Sequence, residues 1–293
     1  MTRPVEIVEM APRDGLQNEK AIIPAADKIA LIDRLSACGY RRIEATSFVS
    51  PKWVPQLADG AAVMAGIARR SGVAYAALVP NMKGYAAAKA AGVDEVAVFL
   101  SASEGFSRAN LNCSIAESFE RVRPVAEAAM ADGIALRGYV SCVVHCPYEG
   151  PVDPGAAARV TEGLLRLGCH EVSLGDTTGH ARPEEVSAML DAVLAAAAPE
   201  RLAGHFHDTD GHALDNIRVG LARGLSVFDA SVGGLGGCPY APGARGNVDT
   251  LAVVGMLARE GYETGLDRER LAEAAAFARR IAGREEEGKE EER

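Results

Sequence analysis

The chain has 293 residues, 48% hydrophobic and 24% charged, the balance of a globular protein that buries a large core in one or two domains. Its formal charge of −9 argues against nucleic acid or an anionic membrane surface as the main partner, so an anionic substrate must be caught by local positive charge. The 31 glycines and 14 prolines are dispersed, which leaves no linker between two halves, and the apolar stretches are too short or interrupted to span a bilayer.

Taken in chain order, short β-branched or apolar runs at 5–10, 42–45, 74–79, 95–100, 135–141, 171–174, 202–206 and 227–231 read as strands. Ala-rich amphipathic stretches at 25–37, 55–70, 83–91, 114–131, 154–167, 183–197, 211–222 and 248–259 read as helices. Proline opens several of them and glycine closes several. Eight strand-then-helix units count out a (β/α)8 TIM barrel. An open doubly wound sheet is the lesser alternative, because the first strand runs into APRDG rather than a Gly-rich dinucleotide turn. One more helix is expected over 267–283, and REEEGKEEER at 284–293 reads as a solvated tail. The expected unit is a single barrel domain, 1–283. The N-terminal stretch carries no signal or transit pattern. The six irregularly spaced cysteines include no CxxC pair and read as reduced thiols, so the expected compartment is the cytoplasm.

Barrel enzymes do their chemistry at the C-terminal ends of the strands, and each predicted strand ends in polar side chains. Strand seven ends in LAGHFHDTD, where His205 and His207 leave one face of the backbone and can grip one ion. Strand one leads into Arg13 and Asp14, strand two carries Glu44, strand six ends at Asp176-Thr177, and the loop after strand eight contains Cys238 and Asn247. Asp14, His205, His207 and Asn247 form a mixed nitrogen and oxygen set suited to Mg²⁺ or Mn²⁺, with Zn²⁺ also admissible. Arg13 is an ion-pair partner for Glu44 or Asp14, a fork for a developing oxyanion, or both. Cys238 stands among glycines and a proline in an expected exposed loop, where a thiol can exchange a proton near neutral pH.

With these residues in view, the chain resembles the hydroxymethylglutaryl-CoA lyase family of the DRE-TIM metallolyases. The resemblance is carried by EMAPRDGLQNEK, EATSFVSPKWVPQLAD, VPNMKGY, FLSASEGFSRANLNCSIAESF, RGYVSCVVHCPYEG, VSLGDTTG, HFHDT and GLGGCPYAPGARGN, in that order. It implies Asp14, His205, His207 and Asn247 as ligands of a divalent metal, Arg13 at the thioester or enolate oxygen with Glu44 holding it, and Cys238 in proton transfer. It further implies Gln17, Ser173, Asp176 and Thr177 along the acyl pocket, and Lys20 and Asn110 where coenzyme A binds. The activity implied is metal-dependent cleavage of 3-hydroxy-3-methylglutaryl-CoA to acetyl-CoA and acetoacetate, as in leucine degradation. The first base is left open among His205, Asp14 and Asp176. Two other activities are weighed: cleavage of a longer 3-hydroxy-3-alkylglutaryl-CoA, and condensation by a related acyl-CoA synthase, which the Cys-Pro-Tyr of the last loop disfavours. The expected partners are the acyl-CoA substrate and further copies of the chain, as a homodimer or higher homo-oligomer. The chain departs from the family pattern at Thr250-Leu251-Ala252, where an acidic pair is usual, and at His145 and His180.

Overall fold

The computed structural model describes residues 3–237 and 246–284. Eight parallel strands close into a barrel: β1 (Glu6–Glu9), β2 (Arg42–Ser47), β3 (Ala74–Leu78), β4 (Glu95–Ser101), β5 (Ala135–Ser141), β6 (Glu171–Asp176), β7 (Leu202–Phe206) and β8 (Val227–Ala230). Their order around the barrel is the order of the chain, with β8 returning to β1 through the pairing of Val227 to Ala230 with Glu6 to Glu9.

Helices α1 (Ala25–Ser36), α2 (Gly60–Gly66) and α3 (Met82–Ala90) follow the first three strands, and α4 (Glu104–Leu111) and α5 (Ile115–Asp132) both follow β4. After these come α6 (Pro154–Arg166), α7 (Pro183–Leu194), α8 (Ala213–Ala222), α9 (Thr250–Arg259) and the additional α10 (Arg268–Ile281). The local chemistry sets these limits. Ser114 and Glu117 close a reciprocal capping box at the start of α5, and Gly133 ends it with φ 68°. Asp267 accepts from the backbone N–H groups of Glu269 and Arg270 and so opens α10.

The main apolar core lies between strands and helices, with Leu31, Ile43, Val98, Leu164, Val172, Leu190, Leu202 and Phe228 all fully buried. A smaller apolar set, including Val8, Leu78, Ala97, Tyr139 and Ala203, packs separately. Strand alternation puts Tyr139 on the face of Arg137, and Ala203 on the face of His205. Arg137 on β5 pairs with Asp229 on β8, strands that are not neighbours, so this second face is the lumen.

Two expectations need correction. The helix expected over 55–70 is a 3₁₀ turn, Pro55–Leu57, followed by the short α2. Gly60 and Gly66 allow α2 to lie close to β2 and α1: a Cβ on Gly60 would stand 2.7 Å from Thr46 Oγ1, and one on Gly66 2.4 Å from Ile29 Cδ1. Helix α4 was not expected at all, although Ser103 caps it by accepting from Phe106 N–H. The tail expected from 284 falls outside the described residues, except for Arg284. That residue is engaged, pairing with Glu19 at 2.6 Å and donating to the Gly236 carbonyl at 3.1 Å. Among the described residues no helix is long and apolar enough to cross a membrane.

Candidate active site

The site forms at the C-terminal rim, where β7, β1 and β8 run side by side. Strand β7 ends at Phe206, and His207 continues in a bridge with Asn247. Backbone bonds from Asp208 N–H to Gly246 O (2.8 Å) and from Val248 N–H to Phe206 O (3.2 Å) fix that pairing. Asn247, remote in sequence, is thereby seated beside the histidine pair. After β1 the chain makes one wide turn, Ala11–Gly15, that delivers Arg13 and Asp14 to the same rim. A side chain on Gly15 would meet Ser231 Oγ at 2.8 Å, so the turn can approach the β8 exit only because this residue has none.

His205 Nε2 and His207 Nε2 lie 3.2 Å apart, with Asp14 Oδ2 at 3.9 and 3.7 Å from them. Asn247 Nδ2 donates to that same carboxylate oxygen at 2.7 Å. Burial works to raise the Asp14 pKa, but Arg13 and the two imidazoles outweigh it and hold the carboxyl well below its usual range. His205 Nδ1 donates to Asp229 Oδ2 at 3.1 Å, which turns Nε2 toward Asp14. This is the carboxylate–histidine arrangement that orients a metal ligand. His207 Nδ1 is buried and has no protein partner.

The donors fit a divalent cation. Among the described residues, Asp14, His205 and His207 are the group able to converge on one ion, each offering an atom within 4.8 Å of the others. Two imidazole nitrogens and one carboxylate oxygen suit Mg²⁺, Mn²⁺ or Zn²⁺ and leave coordination positions open. Asn247 would have to turn its amide over to present Oδ1 to the same ion.

Arg13 is buried beside this group, 6% exposed. Its Nε donates to Glu44 Oε2 at 2.6 Å, and its Nη1 pairs with Asp14. Glu44 is 1% exposed, and its Oε1 has no protein partner. The guanidinium is thus held on two sides, and burial, which opposes its charge, is outweighed by Glu44 and Asp14, so Arg13 stays protonated.

The remaining expected residues are less tightly grouped. Asp176 is fully buried and closes the turn after β6: Oδ2 accepts from Ala181 N–H (3.1 Å) and Oδ1 from Gly179 N–H (3.1 Å). Burial raises its pKa against those bonds. Thr177 Oγ1 accepts from Cys142 N–H at 2.9 Å. Ser173 points into the lumen and donates to Asp229 Oδ2 at 2.8 Å. Gln17 is half-buried, while Lys20 and Asn110 are exposed. Cys238 lies outside the described residues, although the segment leading to it is held by Asn18 Nδ2, which donates to the Gly237 carbonyl at 2.9 Å. His145 pairs with Glu185 at 3.1 Å and His180 with Asp210 at 2.8 Å. Thr250, the first of the departures from the family pattern, donates to the buried Glu9 carboxyl at 3.1 Å.

Sequence reasoning missed Arg137, Tyr139, Glu171 and Asp229. Their signal was present: charged or hydroxyl residues at alternate positions of otherwise apolar parallel strands, which are ordinarily near-continuous hydrocarbon.

Comparison with known proteins agrees with this fold. A lyase from Pseudomonas aeruginosa named for 3-hydroxy-3-isohexenylglutaryl-CoA and hydroxymethylglutaryl-CoA is 54% identical over 274 residues, 94% of this chain and 91% of that protein. The crystal structure of the HMG-CoA lyase from Brucella melitensis is 70% identical and superposes with a TM-score of 0.95 over 96% of this chain and 99% of that one. An HMG-CoA lyase from Acinetobacter baumannii, solved with coenzyme A and 3-methylmalate, is 39% identical, with a TM-score of 0.91 over 96% of this chain and 92% of that one. The profile of the HMGL-like family matches residues 4–278, nearly the whole barrel and α10, and the chain belongs to that family.

Proposed function

We propose that the protein is a lyase that cleaves 3-hydroxy-3-methylglutaryl-CoA to acetyl-CoA and acetoacetate with the aid of a divalent metal, Mg²⁺ or Mn²⁺. The observation that carries this reading is the meeting of Asp14, His205 and His207 at one point beside a buried, doubly held Arg13. Asp14, His205 and His207 would hold the ion, with Asn247 as a fourth ligand. A bound divalent cation supplies Lewis-acid charge to the substrate's hydroxyl and carboxylate, which lowers the hydroxyl pKa.

The chain's own residues supply the rest. A base at the rim takes the hydroxyl proton, the bond between C2 and C3 breaks, C3 becomes the ketone of acetoacetate, and the electron pair leaves as the enolate of acetyl-CoA. Arg13, kept charged and aimed by Glu44, balances the enolate oxygen. Cys238 returns a proton to the enolate carbon. Asp176 has both oxygens engaged by backbone N–H groups, which gives it the role of shaping the pocket wall. Gln17, Ser173 and Thr177 belong to that wall in the same reading, and exposed Lys20 and Asn110 meet the coenzyme A tail. The full barrel, 1–283, acts as one domain with 284–293 as a charged tail, in the cytoplasm, as a homodimer or higher homo-oligomer.

The test is release of acetyl-CoA from a panel of 3-hydroxy-3-alkylglutaryl-CoA thioesters, assayed after chelation and again with Mg²⁺ or Mn²⁺ restored. Metal-dependent release from the methyl compound is expected. No release from any member under either metal would end the reading, and release only from longer chains would reassign the substrate.

A further inference from the structure

The lumen of a parallel barrel is ordinarily filled with branched hydrocarbon. Here its centre is Arg137 on β5, 1% exposed. Its guanidinium meets three partners: Nε donates to Glu171 Oε1 (2.8 Å), Nη2 crosses the lumen to Asp229 Oδ1 (2.8 Å), and Nη1 donates to the Tyr139 hydroxyl (2.8 Å) and to Asp229 Oδ2 (3.3 Å).

Two of these contacts lead to the rim. Asp229, fully buried, accepts the Nδ1 proton of His205 at 3.1 Å and the Ser173 hydroxyl at 2.8 Å. The Tyr139 hydroxyl lies 3.3 Å from Glu44 Oε2, the oxygen that accepts from Arg13 Nε at 2.6 Å. One guanidinium is therefore joined through a single intervening residue to a metal-facing imidazole, and through two residues to the oxyanion-facing arginine.

We infer that Arg137 is a positioning residue that sets the His205 ring and the Arg13 fork relative to one another. Its bonds to Glu171, Asp229 and Tyr139 are all to protein, so it acts through these neighbours. Its planar fork is what the position requires, because a lysine ammonium lacks the fixed geometry to meet Glu171, Asp229 and Tyr139 at once. The inference rests on the lyase reading for its kinetic consequence, while its effect on metal affinity stands independently of the reaction catalysed.

The experiment compares Arg137→Lys, Asp229→Asn and Tyr139→Phe with the unaltered protein. Mn²⁺ affinity is read without substrate by the paramagnetic resonance of free Mn²⁺, and kcat and KM are read at saturating Mn²⁺. Asp229→Asn is expected to weaken Mn²⁺ binding by roughly 10- to 100-fold. Tyr139→Phe, which keeps the ring and removes the hydroxyl, is expected to leave Mn²⁺ affinity unchanged and lower kcat about tenfold with KM little altered. Arg137→Lys is expected to show both losses. A folded Arg137→Lys protein that binds Mn²⁺ and turns over like the unaltered one, with only its unfolding temperature lowered, overturns the inference. If that variant does not fold, Tyr139→Phe with full kcat or Asp229→Asn with full Mn²⁺ affinity overturns it instead. Failure of the unaltered protein to cleave the thioester would sink the lyase reading and leave the Mn²⁺ comparison intact.

Discussion

Arg13 is a residue whose isolated identity says little and whose surroundings say much. Charged residues in a barrel wall usually answer one another, and Arg13 answers Glu44 and Asp14; yet the fork also stands next to the point where His205 and His207 meet. Replacement by glutamine is expected to lower kcat about 10³-fold, the effect of removing a charge that matters most in the transition state. Circular dichroism should show the fold intact, and a variant that keeps a tenth of the activity would remove Arg13 from the chemistry. Cys238→Ser should cut turnover with bound metal unchanged when the purified protein is analysed for metal; loss of metal along with activity would assign the thiol a different task. The convergence of His205 and His207 was legible in the sequence because the H-x-H spacing fixes a common face on any strand. Asp229 was not, because its role comes from a contact across the lumen that no local spacing encodes.

At the scale of elements, period-2 and amphipathic patterns found the barrel well, and the limits of β5 and β7 coincide with the expected ones. Where the reading failed, tertiary contact decided the outcome. The stretch after β2 has helical composition, but the Gln56 side chain is drawn into backbone bonds with Ala21 and Ile23, and the Asp59 carboxylate is taken by Lys28. Helix α4 carried a readable start at Ser103 and a stop at Asn112, whose φ is 52°, but it is short and adds a second helix to one unit of the repeat. Strand β7 depends on a bare backbone at Gly204: a Cβ there would stand 2.7 Å from Phe206 and 2.9 Å from Phe228. Gly204→Ala is therefore expected to cost roughly 1–3 kcal/mol of stability by overpacking. Chemical denaturation measures this, and an unchanged midpoint would show that the aromatic rings yield freely.

For the whole molecule, the buried acids tie stability to pH. Burial pushes Glu9 and Glu95 up to about 7 from an ordinary value of 4.5. Between those values the folded chain holds protons that the unfolded chain has released. Their contribution is therefore complete below about 4.5 and lost as pH rises through about 7. The urea midpoint should fall between pH 5 and pH 8. Glu95→Gln, which imitates the protonated carboxyl beside His170 and Arg42, should remove part of that slope, at most about 3 kcal/mol. An identical slope in the variant would release Glu95 from the account.

The ion-paired lumen around Arg137, Glu171 and Asp229 also sets how this barrel can change its sequence. Exchanging Arg137 alone for an aliphatic residue takes the guanidinium from the Asp229 carboxylate in a dry interior, whereas exchanging the whole set together, with the Arg42 that also holds Glu171, for well-fitted hydrocarbon is commonly neutral or stabilising in proteins. Drift toward an oily interior would thus have to cross a valley in which the protein is crippled, and the far side would be a sturdier barrel with an unsupported rim. The fixed charges orient the rim at the expense of robustness.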